Sequence, residues 1–146
     1  MLRSRPHVQS KPGLTRPRLA GLTFIALWFL FGGIAHFVAT DAEMRIVPPS
    51  LPWPRAIVLG TGVLELLGVA GLLFKRMRSS AGVGLFLLTV AVTPAHFYML
   101  QRPELFAVPY WLLALRLPLQ VALLVLIAWS TLPATAIRSK RGTVSN

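Results

Sequence analysis

The chain has 146 residues, of which 55% are hydrophobic and only 13% are charged, and its formal net charge is +11. The length suits one domain, and the composition is too apolar for an ordinary soluble domain, in which about 25% of residues are charged. The absence of cysteine excludes disulfides, thiolate catalysis and iron–sulfur ligation by this chain.

Four long apolar segments follow a basic, proline-containing tail over residues 1–18, which is predicted to be disordered. The segments cover about residues 19–39, 56–74, 81–100 and 111–132. Each has the length of about 20 residues that a helix needs to cross a hydrocarbon core. The first is interpreted as an uncleaved anchor, because three more spans follow it. The sequence therefore predicts an all-α integral membrane four-helix bundle over residues 19–134, with a second basic tail over residues 135–146.

Proline and glycine predict how the spans are connected and packed. The loop over residues 41–55 holds four prolines among apolar residues. It is predicted to follow an extended path and to fold over the mouth of the bundle, with a stiff surface connector as the alternative. Pro94 and Pro118 each remove one helical hydrogen bond, which predicts kinks in the third and fourth spans. Glycines in the first three spans predict close packing between helices.

The charges are distributed asymmetrically about the spans. The two tails and the loop between the second and third spans carry 11 lysines and arginines and no acid, whereas the opposite loops carry three arginines and three acids. Basic loops stay in the cytoplasm, so both termini are predicted to be cytoplasmic, in a plasma or inner membrane. The basic segments are expected to contact anionic membrane lipids, at about 1 kcal/mol per charge near the surface. Nucleic acid is not an expected partner.

Four ionisable residues and one amide lie within the predicted spans: His36, Glu65, His96, Arg116 and Gln120. Ionisable groups in a membrane are costly and usually face the bundle interior. The two histidines and Arg116 are predicted to share the external third of the bundle, with Glu65 about 14 Å down the second span. Arg116 and Gln120 are four residues apart and share a helix face, and the long arginine side chain is predicted to reach Glu65.

The predicted pair of Glu65 and Arg116 has two interpretations. It is either a structural ion pair that locks the bundle or part of a pocket for a lipophilic ligand or redox cofactor. In the second case His36 and Gln120 are further candidate cofactor-binding residues, and His96 is a weaker one. Two histidines could also ligate haem, or a metal together with Glu65, but the spacing matches no metal motif, so no metal site is predicted.

Several short motifs follow one another along the chain. They are Gly32-Gly33 with His36-Phe37, Ile46-Val47-Pro48-Pro49 with Leu51-Pro52, Gly62 and Glu65-Leu66-Leu67-Gly68 with Leu72-Leu73, Pro94-Ala95 with Met99, and Arg116-Leu117-Pro118-Leu119-Gln120 with Trp129. By these motifs, residues 32–129 resemble the DoxX family of small membrane proteins. That family usually has Asn where this chain has His96, which counts against a haem or metal role for this histidine.

The resemblance implies a four-helix accessory or anchoring subunit of a membrane redox system, in contact with other redox subunits. Quinone is then the candidate cofactor, with Arg116, Gln120 and His36 as donors to its carbonyl groups. Without cysteine the chain cannot carry out thiol chemistry alone, so any redox role would be that of a quinone-site or anchoring subunit. The chain is expected to have no catalytic activity of its own, and no catalytic residue is assigned. Two alternatives stay open: a membrane enzyme that acts on a lipophilic substrate with Glu65 as acid or base, and a small transporter.

Overall fold

The computed structural model describes residues 15–132, and helices are the only regular elements in that range. They are α1 (Arg16–Val38), α2 (Thr40–Met44), α3 (Pro54–Leu73), α4 (Arg78–Ala91), α5 (Thr93–Gln101), a 3-10 turn (Pro103–Leu105) and α6 (Tyr110–Thr131). The second tail and most of the first lie outside the described residues. The all-α prediction is confirmed for the part of the chain that is described.

Four helical segments are long and apolar enough to cross a membrane: α1, α3, the combined α4–α5 segment and α6. They contain 20 to 24 residues each, which corresponds to roughly 30–36 Å at the rise of an α-helix. Their ends differ from the predicted spans by at most three residues. The four predicted spans are thus confirmed as helices of membrane length, and the cytoplasmic location of the termini stays a prediction.

Proline determines where three of the helices begin. Pro17, Pro54 and Pro94 each occupy one of the first two positions of a helix, where a missing N–H group leaves no bond unmade. Because Pro17 is tolerated there, α1 begins at Arg16, and the prediction of a disordered tail up to residue 18 is wrong for its last residues. The third span is interrupted at Val92 just before Pro94, which confirms the predicted kink. Pro118, by contrast, lies inside an uninterrupted α6.

The helices pack in a ring in which α1 contacts α3, α3 contacts α4, α4 contacts α6 and α6 contacts α1. We call the half of the bundle that contains the start of α1 and the end of α6 the closed half. Buried apolar side chains from all four helices fill it: Leu22, Ile25, Phe29, Leu72, Leu85, Leu123 and Ile127. Hydrophobic burial in the described bundle is therefore concentrated away from the first loop.

The other half of the bundle, which we call the open half, divides into two leaves. One leaf consists of α1, α2 and α3, which pack against one another. The other consists of α5 and α6; α5 packs on α6 and makes no extensive contact with α1 or α3 within the described residues. The two leaves meet in the closed half and leave space between them in the open half.

The first loop differs in part from its predicted extended path. Residues 40–44 form the short helix α2, because all four prolines of the loop lie beyond residue 47 and do not prevent it. Turns follow, and Trp53 ends the loop with a left-handed backbone (φ 53°) and an exposed ring. Ile46, Val47 and Leu51 lie over the space between the leaves. The prediction that the loop covers the mouth of the bundle is confirmed.

Candidate functional site

A close crossing of α1 and α3 builds one wall of the open half. Glycine allows this approach, since a Cβ atom at Gly62 would lie 2.8 Å from the Cβ of His36 and 3.1 Å from the carbonyl oxygen of Gly33. A Cβ at Gly33 would lie 2.9 Å from the Leu66 side chain. A larger residue at Gly62 would force the helices apart, whereas one at Gly33 would first displace the Leu66 side chain. The predicted close packing through glycine is confirmed here.

The crossing brings His36 of α1 to Glu65 of α3. Nε2 of His36 lies 3.7 Å from Oε1 of Glu65, and the two side chains are only 17% and 13% exposed. Gly32 leaves room for the carboxyl group, because a Cβ at that position would lie 3.0 Å from Oε2 of Glu65. That oxygen and Nδ1 of His36 are buried without a hydrogen-bond partner among the described residues. The 3.7 Å contact is an ion-pair distance and not a hydrogen bond, and each side chain keeps one buried polar atom without a partner among the described residues.

Arg116 does not pair with Glu65, so the predicted ion pair between them is wrong. Nη1 of Arg116 instead contacts Sδ of Met99 at 3.8 Å, and no carboxylate of the described residues lies within ion-pair distance of the guanidinium. The reason is the order of helices in the ring. Glu65 is on α3, which packs against α1 and α4, whereas Arg116 is on α6, diagonally opposite. The neighbouring α1 supplies His36 as the partner of Glu65 instead.

Gln120 joins α6 to the interruption between α4 and α5. Its Nε2 donates to the carbonyl oxygen of Thr89 at 2.9 Å and to Oγ1 of Thr93 at 2.6 Å. Both partners lie within five residues before Pro94, where the helix hydrogen-bond pattern is broken. Gln120 is buried, and these bonds use both hydrogens of its amide group. The amide hydrogens of Gln120 therefore hold α6 to the interruption of the third span, and its expected contact with a ligand stays a prediction.

His96 lies on α5, just after the interruption, and its Nδ1 is buried without a hydrogen-bond partner among the described residues. His96 lines the same cavity as Arg116 and Gln120. The described residues contain no group of three His, Cys, Asp or Glu side chains that could hold a metal ion. The two histidines and Glu65 are thus not arranged as a metal site.

All five predicted site residues line one cavity between the two leaves: His36, Glu65, His96, Arg116 and Gln120. Its volume is about 590 Å³, within the range of about 300–1,000 Å³ of small-molecule sites. Apolar residues of α1, α3, α4, α5 and α6 form most of the walls, and the first loop forms the roof. Such a cavity suits a molecule with an apolar body and a small polar group.

Four further polar residues of the site were not predicted from the sequence. Glu43 of α2 and Thr61 of α3 line the cavity, and Thr89 and Thr93 bind Gln120. Thr89 and Thr93 could have been recognised, because they are four residues apart on the turn before Pro94, where a proline leaves backbone carbonyl groups unpaired. Glu43 carries no comparable signal, since an acid in a loop is ordinarily solvated.

Over the described residues, the fold and the cavity define an all-helical protein with four helices of membrane length and, in one half of the bundle, a mainly apolar cavity that also holds a few polar side chains. The chain belongs to the family described as a domain of unknown function (DUF8561), whose family model matches residues 25–132. The matched segment contains every residue that lines the cavity. No curated protein and no solved structure matches the chain.

Proposed function

We propose that the protein is a multi-pass protein of the plasma or inner membrane that binds a lipophilic molecule of the quinone type between the two leaves. In this proposal it acts as an accessory or anchoring subunit of a membrane redox system, without catalytic activity of its own. The observation that supports it is the cavity of about 590 Å³, which has apolar walls and polar groups on both leaves. A ring and tail would lie against the walls, and the polar groups would orient the head.

Arg116 is the residue best suited to bind such a head group. Its guanidinium carries five donors, lines the cavity, and has the thioether of Met99 as its hydrogen-bond partner among the described residues. A thioether is a weak acceptor, so a ligand carbonyl would be a stronger partner. His96 also lines the cavity, but its Nδ1 is buried and does not face the ligand space. The guanidinium of Arg116 therefore supplies the donors for one carbonyl oxygen.

The redox assignment and the orientation rest on the sequence. The DoxX resemblance over residues 32–129 implies a subunit of a redox complex, and contact with other redox subunits is part of this proposal. The 11 basic residues of the two tails and of the loop between the second and third spans support a cytoplasmic location of the termini in this proposal. Native mass spectrometry of gently extracted protein tests both partner claims, because it detects bound quinone, lipids and other chains together. Extracted protein that carries neither quinone nor another chain would contradict them.

Ligand binding is tested by thermal unfolding of the purified protein with a short-tailed quinone. A ligand that binds only the folded form stabilises it by about 2.7 kcal/mol at 100 times its dissociation constant. We expect a raised melting temperature for the wild type and a much smaller shift for Arg116→Leu. Arg45→Leu is the matched control, because Arg45 is exposed and does not line the cavity. Equal shifts in both variants, or none in the wild type, would refute the assignment.

A second candidate function is an enzyme that acts on a lipophilic substrate. The specific observation in its favour is the pairing of His36 with Glu65 at 3.7 Å beside the cavity, since an imidazole and a carboxylate in contact are a common acid–base pair. It predicts that a bound molecule is chemically converted and that Glu65→Gln keeps binding but loses conversion. Recovery of the ligand unchanged by the wild type would argue against the enzyme.

A further inference from the structure

The cavity reaches the outer surface of the bundle between α1 and α6. Trp28 of α1 and Leu115 and Leu119 of α6 line the cavity, yet their exposed fractions are 49%, 44% and 48%. Trp28 also stacks on Phe24, with ring centroids 5.9 Å apart. Phe24 is 51% exposed and does not line the cavity, so it lies on the outer face of α1. Trp28 therefore lies at the edge where the cavity meets the outer surface.

The same two helices are in contact in the closed half. A Cβ at Gly21 would lie 3.3 Å from the Leu126 side chain and 3.4 Å from the ring of Trp129, both on α6. Gly21 and Trp28 are seven residues apart and lie on nearly the same side of α1. That side touches α6 in the closed half and borders the cavity in the open half, so the two helices separate toward the first loop. We call the gap, edged by Trp28, Leu115 and Leu119, the lateral opening.

The opposite side of the cavity, between α3 and the interrupted third span, is more closed. The residues of α3 that line the cavity are all buried or only partly exposed: Ile57, Val58, Thr61 and Glu65. Among the lining residues of α4 and α5, the exposed ones are the small residues Ala91 and Pro94. Within the spans, large apolar side chains that both line the cavity and are exposed are therefore concentrated at the lateral opening.

The lateral opening lies at the depth of the lipid hydrocarbon if the helices cross a membrane. Trp28 and Leu119 are near the middle of helices of 23 and 22 residues. A helix of about 20 residues crosses the whole hydrocarbon core, so its middle lies within that core. The edge of the opening is apolar, as contact with lipid requires. The cavity is thus continuous with lipid at this point, while the first loop covers it toward the loop end of the bundle.

Arg116 lies just inside the lateral opening. Its guanidinium lines the cavity and is exposed, and in α6 it lies between Leu115 and Leu119. A head group bound to Arg116 would therefore have its tail attached close to the opening. A cavity of about 590 Å³ holds a head group and a short tail, so a long tail has to leave the cavity.

We propose that the ligand enters the cavity from the lipid through the lateral opening, and that its tail remains there once Arg116 holds the head group. This inference rests on the proposed function, since it concerns the same cavity and the same class of molecule. The occupant of the opening is the isoprenoid or alkyl tail of a quinone dissolved in the membrane. The volume of the cavity then sets no limit on the length of that tail.

Benzoquinones with one head group and isoprenoid tails of increasing length test where the tail lies. They are titrated onto the full chain in lipid nanodiscs, with concentrations expressed per lipid, because longer tails partition more strongly. Binding is followed by quenching of Trp28 fluorescence in a variant in which Trp53, Trp111 and Trp129 are replaced by phenylalanine. We expect the affinity to stay constant as the tail outgrows the cavity. A steep fall in affinity at that length would overturn the inference, because the ligand would then be enclosed.

Bulky residues at the edge of the opening test the route of entry. Leu115→Phe with Leu119→Phe narrows the opening. Val121→Phe with Val125→Phe is the matched control, because these exposed residues have the same spacing on α6 and do not line the cavity. A narrower passage raises the barrier to entry and to exit equally. Association and dissociation should both slow by about tenfold, a barrier increase of about 1.4 kcal/mol, with little change in the dissociation constant. The control should keep the wild-type rates.

The outcomes distinguish this inference from the proposed function. Wild-type rates in the variant with a narrowed opening, or a loss of affinity without slower association, would overturn the lateral route. Slower entry caused by Thr61→Phe on α3 and not by the narrowed opening would do the same, because entry would then lie on the other side of the cavity. In each of these cases the quinone still binds and the proposed function stands. If no quinone of the series binds the wild type, the proposed function falls as well.

Discussion

Replacing Gly62 by alanine tests the helix crossing on which the site depends. The new Cβ would lie 2.8 Å from the Cβ of His36 and 2.9 Å from the ring of Phe37, whereas ordinary contacts begin at 3.4 Å. The Phe37 ring can rotate away, but the Cβ of His36 is fixed to the backbone of α1. The two helices must therefore separate locally by about 0.6 Å, the difference between 3.4 Å and 2.8 Å.

The cost of this separation follows from the rigidity of packed helices. Adding a methyl group to a well-packed contact typically destabilises a protein by about 1–3 kcal/mol. For a chain of this size that corresponds to a fall of roughly 3–10 °C in melting temperature. The separation also lengthens the 3.7 Å contact between His36 and Glu65. Thermal unfolding of the purified protein in one detergent or nanodisc preparation measures the effect.

Gly60→Ala is the matched control, because it makes the same chemical change two residues earlier in α3. A Cβ at Gly60 would meet no heavy atom within 4 Å. We expect the control to retain the wild-type melting temperature or to exceed it, since alanine favours a helix over glycine by up to about 1 kcal/mol. Equal melting temperatures for the two variants would show that the crossing is not as close as described and would refute the reasoning.

Three further predictions concern orientation and polar contacts. The chain has no cysteine, so single cysteines can be introduced as labels. A cysteine at Ser79 should resist a membrane-impermeant thiol reagent in intact cells, and one at Ser50 should react. Labelling at Ser79 and not at Ser50 would reverse the predicted orientation. Replacing Glu65 or His36 singly by alanine should lower the melting temperature. The double variant should lose less stability than the two single variants together, because the pair is coupled. Additive losses of stability would show that the two residues are not coupled. Gln120→Ala should lower the free energy of unfolding by about 1–3 kcal/mol, because it leaves the buried oxygens of Thr89 and Thr93 unpaired. An unchanged melting temperature would contradict the structural role of Gln120.

Much of the fold could be predicted because the length of an apolar segment is a property of the sequence alone. The four spans and the kink at Pro94 follow from composition and from the missing N–H group of proline. It could also be predicted that the polar residues lie in one site, since ionisable groups in apolar spans face the interior of the bundle. All five residues do line the same cavity.

The partner of each polar residue could not be predicted, because depth along a span says nothing about which helices are neighbours. Arg116 and Glu65 were matched by charge and reach, yet their helices are diagonal in the ring. The glycines at positions 32, 33 and 62 carried the missing information. Small residues near His36 on one span and near Glu65 on another indicate that these two helices approach each other closely.

The apolar core of the closed half determines whether a molecule could pass through the bundle. Ile25 and Ile127 are completely buried there, packed with Leu22, Leu85 and the other core residues. These side chains close the cavity at that end. A molecule that enters from the open half must therefore leave from the same half. Transport across a membrane would require these residues to separate and the core to repack. For the proposed quinone-type ligand, the filled core of the closed half means binding and release through the open half.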